Sequence, residues 1–316
     1  MLQPSLPIAA AYRITDTEKS VQFCQNDAPQ EQRPVKAVMS TSSELSAPHH
    51  HMGGKGPALH FAAANGYPPG AYRAFLEPFS KNYEVVASLH RPLWEIPPDI
   101  ESFKSWDVFG EDICELVGQL HCPVVSVGHS MGTAAILMAA VHRPELFKSL
   151  VLIEPVLVPR RYLIGLRFFR RFRPEVIPLV KRTLSRVDQF FSRQEAFDHY
   201  RVKRVFRQIS DAVLWDYVQH GTKESEPGVF TLAYSRDWEA RCYMLVHNLW
   251  RLLPQLRVPT LAIRAQDSNT LAISSWNKWQ SMSKNVDFIE IEDAGHLVPF
   301  EKPDQLASII LEWSEK

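Results

Sequence analysis

From Pro57 onward, short apolar runs alternate with segments whose apolar residues recur every three to four positions. Ala58 to Ala64, Tyr83 to Leu89, Val124 to Val127, Ser149 to Ile153, Val258 to Ile263 and Val286 to Ile291 are the runs. Each has the length of a strand and is apolar on both faces, the pattern of a buried parallel sheet. Between them, Ala71 to Phe79 reads as a short helix. Phe103, Trp106, Ile113, Leu116, Val117 and Leu120 then trace one apolar stripe over about five turns. Thr133 to His142 is alanine-rich and helical, Ile273 to Met282 is a further helix, and Pro303 opens a final one through Trp313. Repeated β-α units predict an α/β fold with a mostly parallel, doubly wound sheet covered by helices on both faces.

The alternation fails in two places. Residues 1–56 carry Gln, Pro, Ser, Thr and the tract His49-His50-His51, with Val21 to Phe23 as the one strand-like fragment. This stretch is expected to be a largely disordered extension, and the histidines a solvated low-complexity tract. Residues 156–256 are too long and too apolar for a loop and are helical in flavour, so they predict a helical cap inserted after the strand that ends at Glu154. The core is then 57–155 together with 257–316. A cap in that position would cover the carboxyl ends of the strands, where open α/β sheets bind ligands.

Composition narrows the class. Hydrophobic residues make up 45% of the 316, charged ones 22%, and 35 basic residues balance 35 acidic ones. No global field points to nucleic acid. Cys24, Cys114, Cys122 and Cys242 have no metal-ligand spacing and are few, which suits a reducing, cytoplasmic setting. No run reaches the roughly 18 apolar residues of a membrane span, and the first residues lack the basic and apolar regions of a signal peptide. Locally the balance breaks: residues 160–207 hold twelve Arg and two Lys against four acids. That excess could attract an anionic substrate or make weak contact with a membrane surface, and equally describes a solvated helical face. The interleaved Phe168, Phe169, Phe172, Phe190, Phe191 and Phe197 would line an apolar pocket or form the core of the cap.

The candidate chemistry centres on Gly128-His129-Ser130-Met131-Gly132, which follows a buried strand and opens a helix. Strand, tight turn and helix around G-x-S-x-G are the context of a nucleophile elbow. The two glycines remove Cβ atoms where strand and helix cross, and the helix N-terminus places free N–H groups beneath the hydroxyl. A serine hydroxyl needs a base. Of the twelve histidines, His296 follows the last strand and precedes the last helix, with Gly295 leaving room for its ring. His129 reads as packing, and His60 and His90 as structural or pocket-lining. The acid has two candidates: Glu154, at the carboxyl edge of the strand after the elbow, and Asp267, in the loop after the strand that begins at Val258.

Leu59 to the C-terminus resembles the α/β-hydrolase superfamily, in its serine-nucleophile branch of lysophospholipase-like, lipase-like and esterase members. LHFAAANGYPPGAY is similar to the strand and loop that carry the oxyanion hole, GHSMG to the nucleophile motif, and AGHLVPFEKP to the histidine motif. HRPLW and VLIEPVL add to the likeness. The resemblance implies the backbone N–H groups of Tyr67 and Met131 as the oxyanion hole, with Asn65-Gly66 in place of the usual His-Gly. Family members usually carry an Asp in the loop that here reads Arg264-Ala265-Gln266-Asp267-Ser268-Asn269-Thr270, where Asp267 is out of step; some place the acid where Glu154 stands. Dehalogenase and epoxide hydrolase chemistry would need an Asp at Ser130.

The expected function is a serine hydrolase that cleaves a small-molecule carboxylic ester with a hydrophobic acyl part, through an acyl-enzyme and with no cofactor or metal. Thioesterase, lactonase and acyltransferase activities use the same triad. A ligand-binding, receptor-like protein on a hydrolase scaffold is the alternative from another class.

Overall fold

The computed structural model describes residues 45–120 and 123–315. Most of the stretch expected to be disordered, with Val21 to Phe23 and Cys24, lies outside the described residues, as does Cys122. Seven strands form the main sheet: β1 (His49–Gly53), β2 (Ala58–Ala62), β3 (Glu84–Ser88), β4 (Val124–His129), β5 (Phe147–Ile153), β9 (Thr260–Ala265) and β10 (Val286–Ile291). Their order is β1-β3-β2-β4-β5-β9-β10, and every pairing is parallel except that of β1 with β3.

Alternate residues of each strand feed two cores. Leu59, Phe61, Val125, Val127, Val151 and Ile153 face one side, packing with Leu306 and Ile310 of the last helix, α11 (Pro303–Ser314). Ala58, Ala62, Val124, Leu150 and Leu152 face the other, where α2 (Asp107–Gln119), α3 (Met131–His142) and α9 (Ile273–Met282) lie. Both faces are dry, which is why the strands read as continuous apolar runs rather than alternating ones. The expected doubly wound sheet is present. The helix expected over Ala71 to Phe79 is broken into short turns around a four-residue α1 (Arg73–Leu76), and Pro78, inside the expected span, has no N–H to give the backbone ladder.

Two expectations need correction. The histidine tract is solvated, with His50 and His51 exposed, but it is an ordered strand and not low-complexity coil: β1 pairs antiparallel with β3, with His50 opposite Ala87 and His51 opposite Val86. It covers the N–H and C=O groups that β3 would otherwise present as an open edge. The insertion is also not purely helical. Between α4 (Arg160–Phe172), α5 (Pro178–Leu184), α6 (Arg193–Arg201), α7 (Asp211–Gly221) and α8 (Arg236–Met244) it holds a small antiparallel sheet of β6 (Gln189–Phe190), β7 (Thr222–Glu226) and β8 (Val229–Leu232). Pro227 and Gly228, the latter at φ +77°, turn β7 into β8. Ser192, Ser210 and Ser235 start α6, α7 and α8 by accepting the N–H three residues on. Of the six phenylalanines, only Phe190 and Phe197 are buried; the other four are exposed.

The insertion packs onto the loop that follows β2. Asn65 Nδ2 donates to the Glu239 carbonyl at 3.0 Å, and Arg73 Nε to Asp216 Oδ1 at 2.9 Å. Trp106 Nε1 donates to the Cys242 carbonyl at 3.0 Å.

The inner strands bury a titratable group. His60 of β2 is fully buried with Nδ1 2.7 Å from Ser126 Oγ, and burial pushes its imidazole down to about 3. The unfolded chain titrates near pH 6.5, so the native state takes up fewer protons below that pH. Stability is complete above 6.5 and drains as pH falls toward 3, by about 1.4 kcal/mol at pH 5.5 from this group alone. Buried His90, also shifted down by burial, acts in the same direction. The melting temperature should therefore fall between pH 7 and pH 5.5, and His60→Asn should flatten that slope; an unchanged slope in the variant would count against it.

Candidate active site

Ser130 sits between the end of β4 and the first residue of α3 at φ 53° and ψ −115°, a conformation costly for any residue with a Cβ. Two glycines permit the crossing. A Cβ on Gly128 would lie 2.9 Å from the backbone of Gly132 and Thr133, and one on Gly132 would strike the Ala62 carbonyl. The sheet then holds the turn in place. Ser130 N–H donates to Ile153 O at 3.0 Å, Glu154 N–H to Ile263 O at 2.8 Å, and Gln266 N–H to Ile291 O at 2.8 Å. Each strand end is thus tied to its neighbour's, and Glu154 shares the φ of 53° found at Ser130.

These ties bring three side chains together. His296 Nε2 lies 3.1 Å from Ser130 Oγ, and His296 Nδ1 lies 2.9 Å from Glu154 Oε2. Glu154 is fully buried, yet its carboxylate is well supplied with donors: Ala265 N–H at 2.7 Å on Oε1, and the Ser268 hydroxyl and His296 on Oε2. A buried carboxyl group needs such partners. With Nδ1–H donated to the carboxylate, the Nε2 lone pair faces the serine hydroxyl. Gly295 N–H donates to Glu301 Oε2 at 2.6 Å, which fixes the loop carrying His296.

Asp267, the other candidate acid, is not part of this arrangement. Its N–H bonds Ala294 O at 2.9 Å, and its side chain is exposed. The loop contributes Ser268 instead, whose oxygen donates to Glu154 while accepting Leu271 N–H at 2.9 Å. Ser268 stands close to where the usual Asp of this loop would fall, which was the available signal for it.

His129, read from sequence as packing, carries two buried hydrogen bonds. Its Nε2–H donates to the His296 carbonyl at 2.9 Å, and its Nδ1 accepts from the Tyr72 hydroxyl at 2.8 Å. That hydroxyl in turn accepts Ala64 N–H at 3.1 Å. Burial pushes His129 well below its usual value, so the ring is neutral, with both nitrogens committed. One chain of bonds thus connects the loop after β2, the turn at Ser130 and the loop of His296. Tyr72→Phe should lower kcat about 10-fold, leave KM within about 2-fold and lower stability by about 1–3 kcal/mol. A melting shift with unchanged kcat would reduce the chain to a structural role.

Above Ser130, Met131 N–H is the first of α3 and has no intrahelical acceptor. Tyr67 N–H closes a turn onto Ala64 O at 3.2 Å, and its ring packs 5.3 Å from Tyr217 and 5.4 Å from Phe300. Gly66, at φ +82°, lets the Glu239 carboxyl approach closely; a Cβ there would be 2.9 Å from Glu239 Cδ. Glu239 is paired with Arg186, whose guanidinium also reaches the Tyr217 hydroxyl at 3.3 Å. Burial raises the Glu239 carboxyl, and Arg186 opposes that shift. Nothing in the sequence separates Arg186 from its many basic neighbours, so this polar wall was not foreseen. Among the described residues, no group of His, Cys, Asp and Glu could hold a metal ion.

A profile of the alpha/beta hydrolase family matches residues 64–309. The abhydrolase domain-containing protein ACTT2 of Alternaria alternata is 25% identical over 231 residues, spanning 61% of this chain and 84% of that protein. Among solved structures, E-2-(acetamidomethylene)succinate hydrolase superposes with a TM-score of 0.70 at 16% identity, over 84% of this chain and 93% of its own. The peroxisomal alpha-beta-hydrolase Lpx1 of Saccharomyces cerevisiae superposes with a TM-score of 0.63 at 18% identity, over 84% and 78% of the two chains. At those identities the likeness concerns the fold.

Proposed function

The chain belongs to the alpha/beta hydrolase family, and from that membership we propose that it is a serine hydrolase acting on a carboxylic ester with a hydrophobic acyl part. The observation that carries the reading is the Ser130–His296–Glu154 line of hydrogen bonds at 3.1 and 2.9 Å. In this reading Ser130 Oγ attacks the ester carbonyl while His296 Nε2 takes its proton. Glu154 holds the ring in the tautomer that can accept and stabilises the imidazolium. Met131 N–H and Tyr67 N–H receive the developing oxyanion, the latter by sharing or releasing its turn to Ala64. The alcohol leaves with the proton from His296, and water then deacylates Ser130 by the same route. No cofactor is required.

The strained backbone at Ser130 and the open N–H of Met131 fit this division of labour. Residues 156–256 serve as the cap, and the half-buried ring of Tyr67 offers apolar surface to an acyl chain. The free thiols Cys114 and Cys242 suit a reducing, cytoplasmic setting.

The test is fluorophosphonate labelling followed by a panel of p-nitrophenyl esters and acyl-CoA thioesters of increasing chain length. The expected result is a single labelled serine and an ester burst. Turnover confined to thioesters would replace the ester assignment, and no label would remove the serine mechanism.

A further inference from the structure

We propose that α4 is a membrane-docking helix that seats the insertion on an anionic lipid surface. Residues 160–173 contain six arginines and no acidic residue. The helix turns only a narrow face inward: Leu163 and Leu166 are buried, Leu166 packing with Ile177, Val180 and Ala240. Ile164, Phe168 and Phe172 follow one another at four-residue spacing, which stacks them along the opposite side. They are 71%, 59% and 62% exposed. The Phe168 ring lies 5.1 Å from that of Phe172 and 5.6 Å from that of Phe169, so the aromatic stripe is assembled in advance.

Three large apolar side chains in a row on the outer face of a helix are out of place against water. A solvated helix would carry polar residues there, as the outer faces of α6 and α7 do with Asp198 and Asp211. Here the flanks of the stripe are arginines. Arg161 and Arg171 border it, and the Arg171 guanidinium lies 5.6 Å from the Phe172 ring centroid. Aromatic residues aimed outward between guanidinium groups are the arrangement of a helix lying in a lipid interface: the rings enter the acyl boundary and the arginines meet phosphates. The charge pattern selects the partner, because a neutral surface would offer no counter-charge to the arginines of the helix itself, Arg160, Arg161, Arg167, Arg170 and Arg171. The inner face of α4 rests near α8, the helix whose Glu239 abuts Gly66. Docking therefore brings a lipid surface to the side of the molecule that covers the candidate site. The proposal does not depend on the hydrolase mechanism and is read out by binding alone.

The full chain is sedimented with phosphatidylcholine vesicles with or without phosphatidylserine, at low and high salt. Binding is expected only with phosphatidylserine and should weaken steeply with salt. Phe168→Ser and Phe172→Ser should each weaken it about 10-fold, and Arg161→Gln or Arg171→Gln about 5-fold. All four side chains are exposed, so melting temperatures should stay at the wild-type value. No binding to phosphatidylserine vesicles would overturn the proposal, as would wild-type binding by both Phe variants. A wild-type dimer that Phe168→Ser dissociates would overturn it as well, since a second copy would then cover the stripe.

Discussion

Ser130→Ala should abolish fluorophosphonate labelling and lower kcat by about 10⁴- to 10⁶-fold. The magnitude follows from what the variant keeps. Met131 N–H remains, so part of the oxyanion stabilisation persists, while the covalent route is gone. The fold should not change, because alanine meets the same backbone demand as serine at φ 53°. Ser130→Gly separates strain from chemistry. Glycine accepts positive φ freely, so this variant should lose activity equally but gain stability, by about 1–3 kcal/mol if the strain is fully relieved. A serine kept at this turn for packing would show neither effect. Retention of label by Ser130→Ala would place the nucleophile elsewhere.

The fold was legible because its information is local. The inner parallel strands, buried on both faces, must be apolar runs, and a helix of the next layer must separate successive strands, so the order of elements follows from the pattern. Ser130 and His296 were legible for a related reason: the elbow needs glycines at fixed offsets, and the histidine follows the last strand. What the sequence left open depends on distances across the chain. Glu154 and Asp267 both follow strands, and only the register of β5 against β9 decides which reaches His296. The support of Glu154 by Ser268, and of His296 by His129 through its carbonyl, comes from hydroxyl and ring groups with no spacing rule. The tract at His49 lacked β-branched residues and so gave no strand signal, yet it pairs because β3 has an edge to cover. In α4 the pattern was visible but its direction was not, since an amphipathic helix does not reveal which face meets the body.

Glu154→Gln and Asp267→Asn should separate sharply, the first lowering kcat about 10⁴-fold and the second leaving it within about 2-fold. Glu154 Oε2 lies 2.9 Å from His296 Nδ1, and the exposed Asp267 side chain is not part of that arrangement. A glutamine fills the same space but carries no charge, so the imidazolium formed during attack loses its counter-charge in a dry site. Its amide can also present N–H to Nδ1. That would drive the proton to Nε2 and leave no lone pair for the Ser130 hydroxyl, a loss that acts on kcat and not on KM. With the amide nitrogen in the place of Oε2, the oxygen can still accept from Ala265 N–H but the nitrogen cannot accept from the Ser268 hydroxyl, so some stability is lost, about 1–3 kcal/mol. Rates are therefore compared well below both melting temperatures. Ser268→Ala gives the intermediate case: the charge stays, one support of the carboxylate goes, and kcat should fall about 10-fold. If Asp267→Asn proved the crippled variant and Glu154→Gln kept turnover, the acid would belong to the loop after β9, and the buried Glu154 would be a structural group.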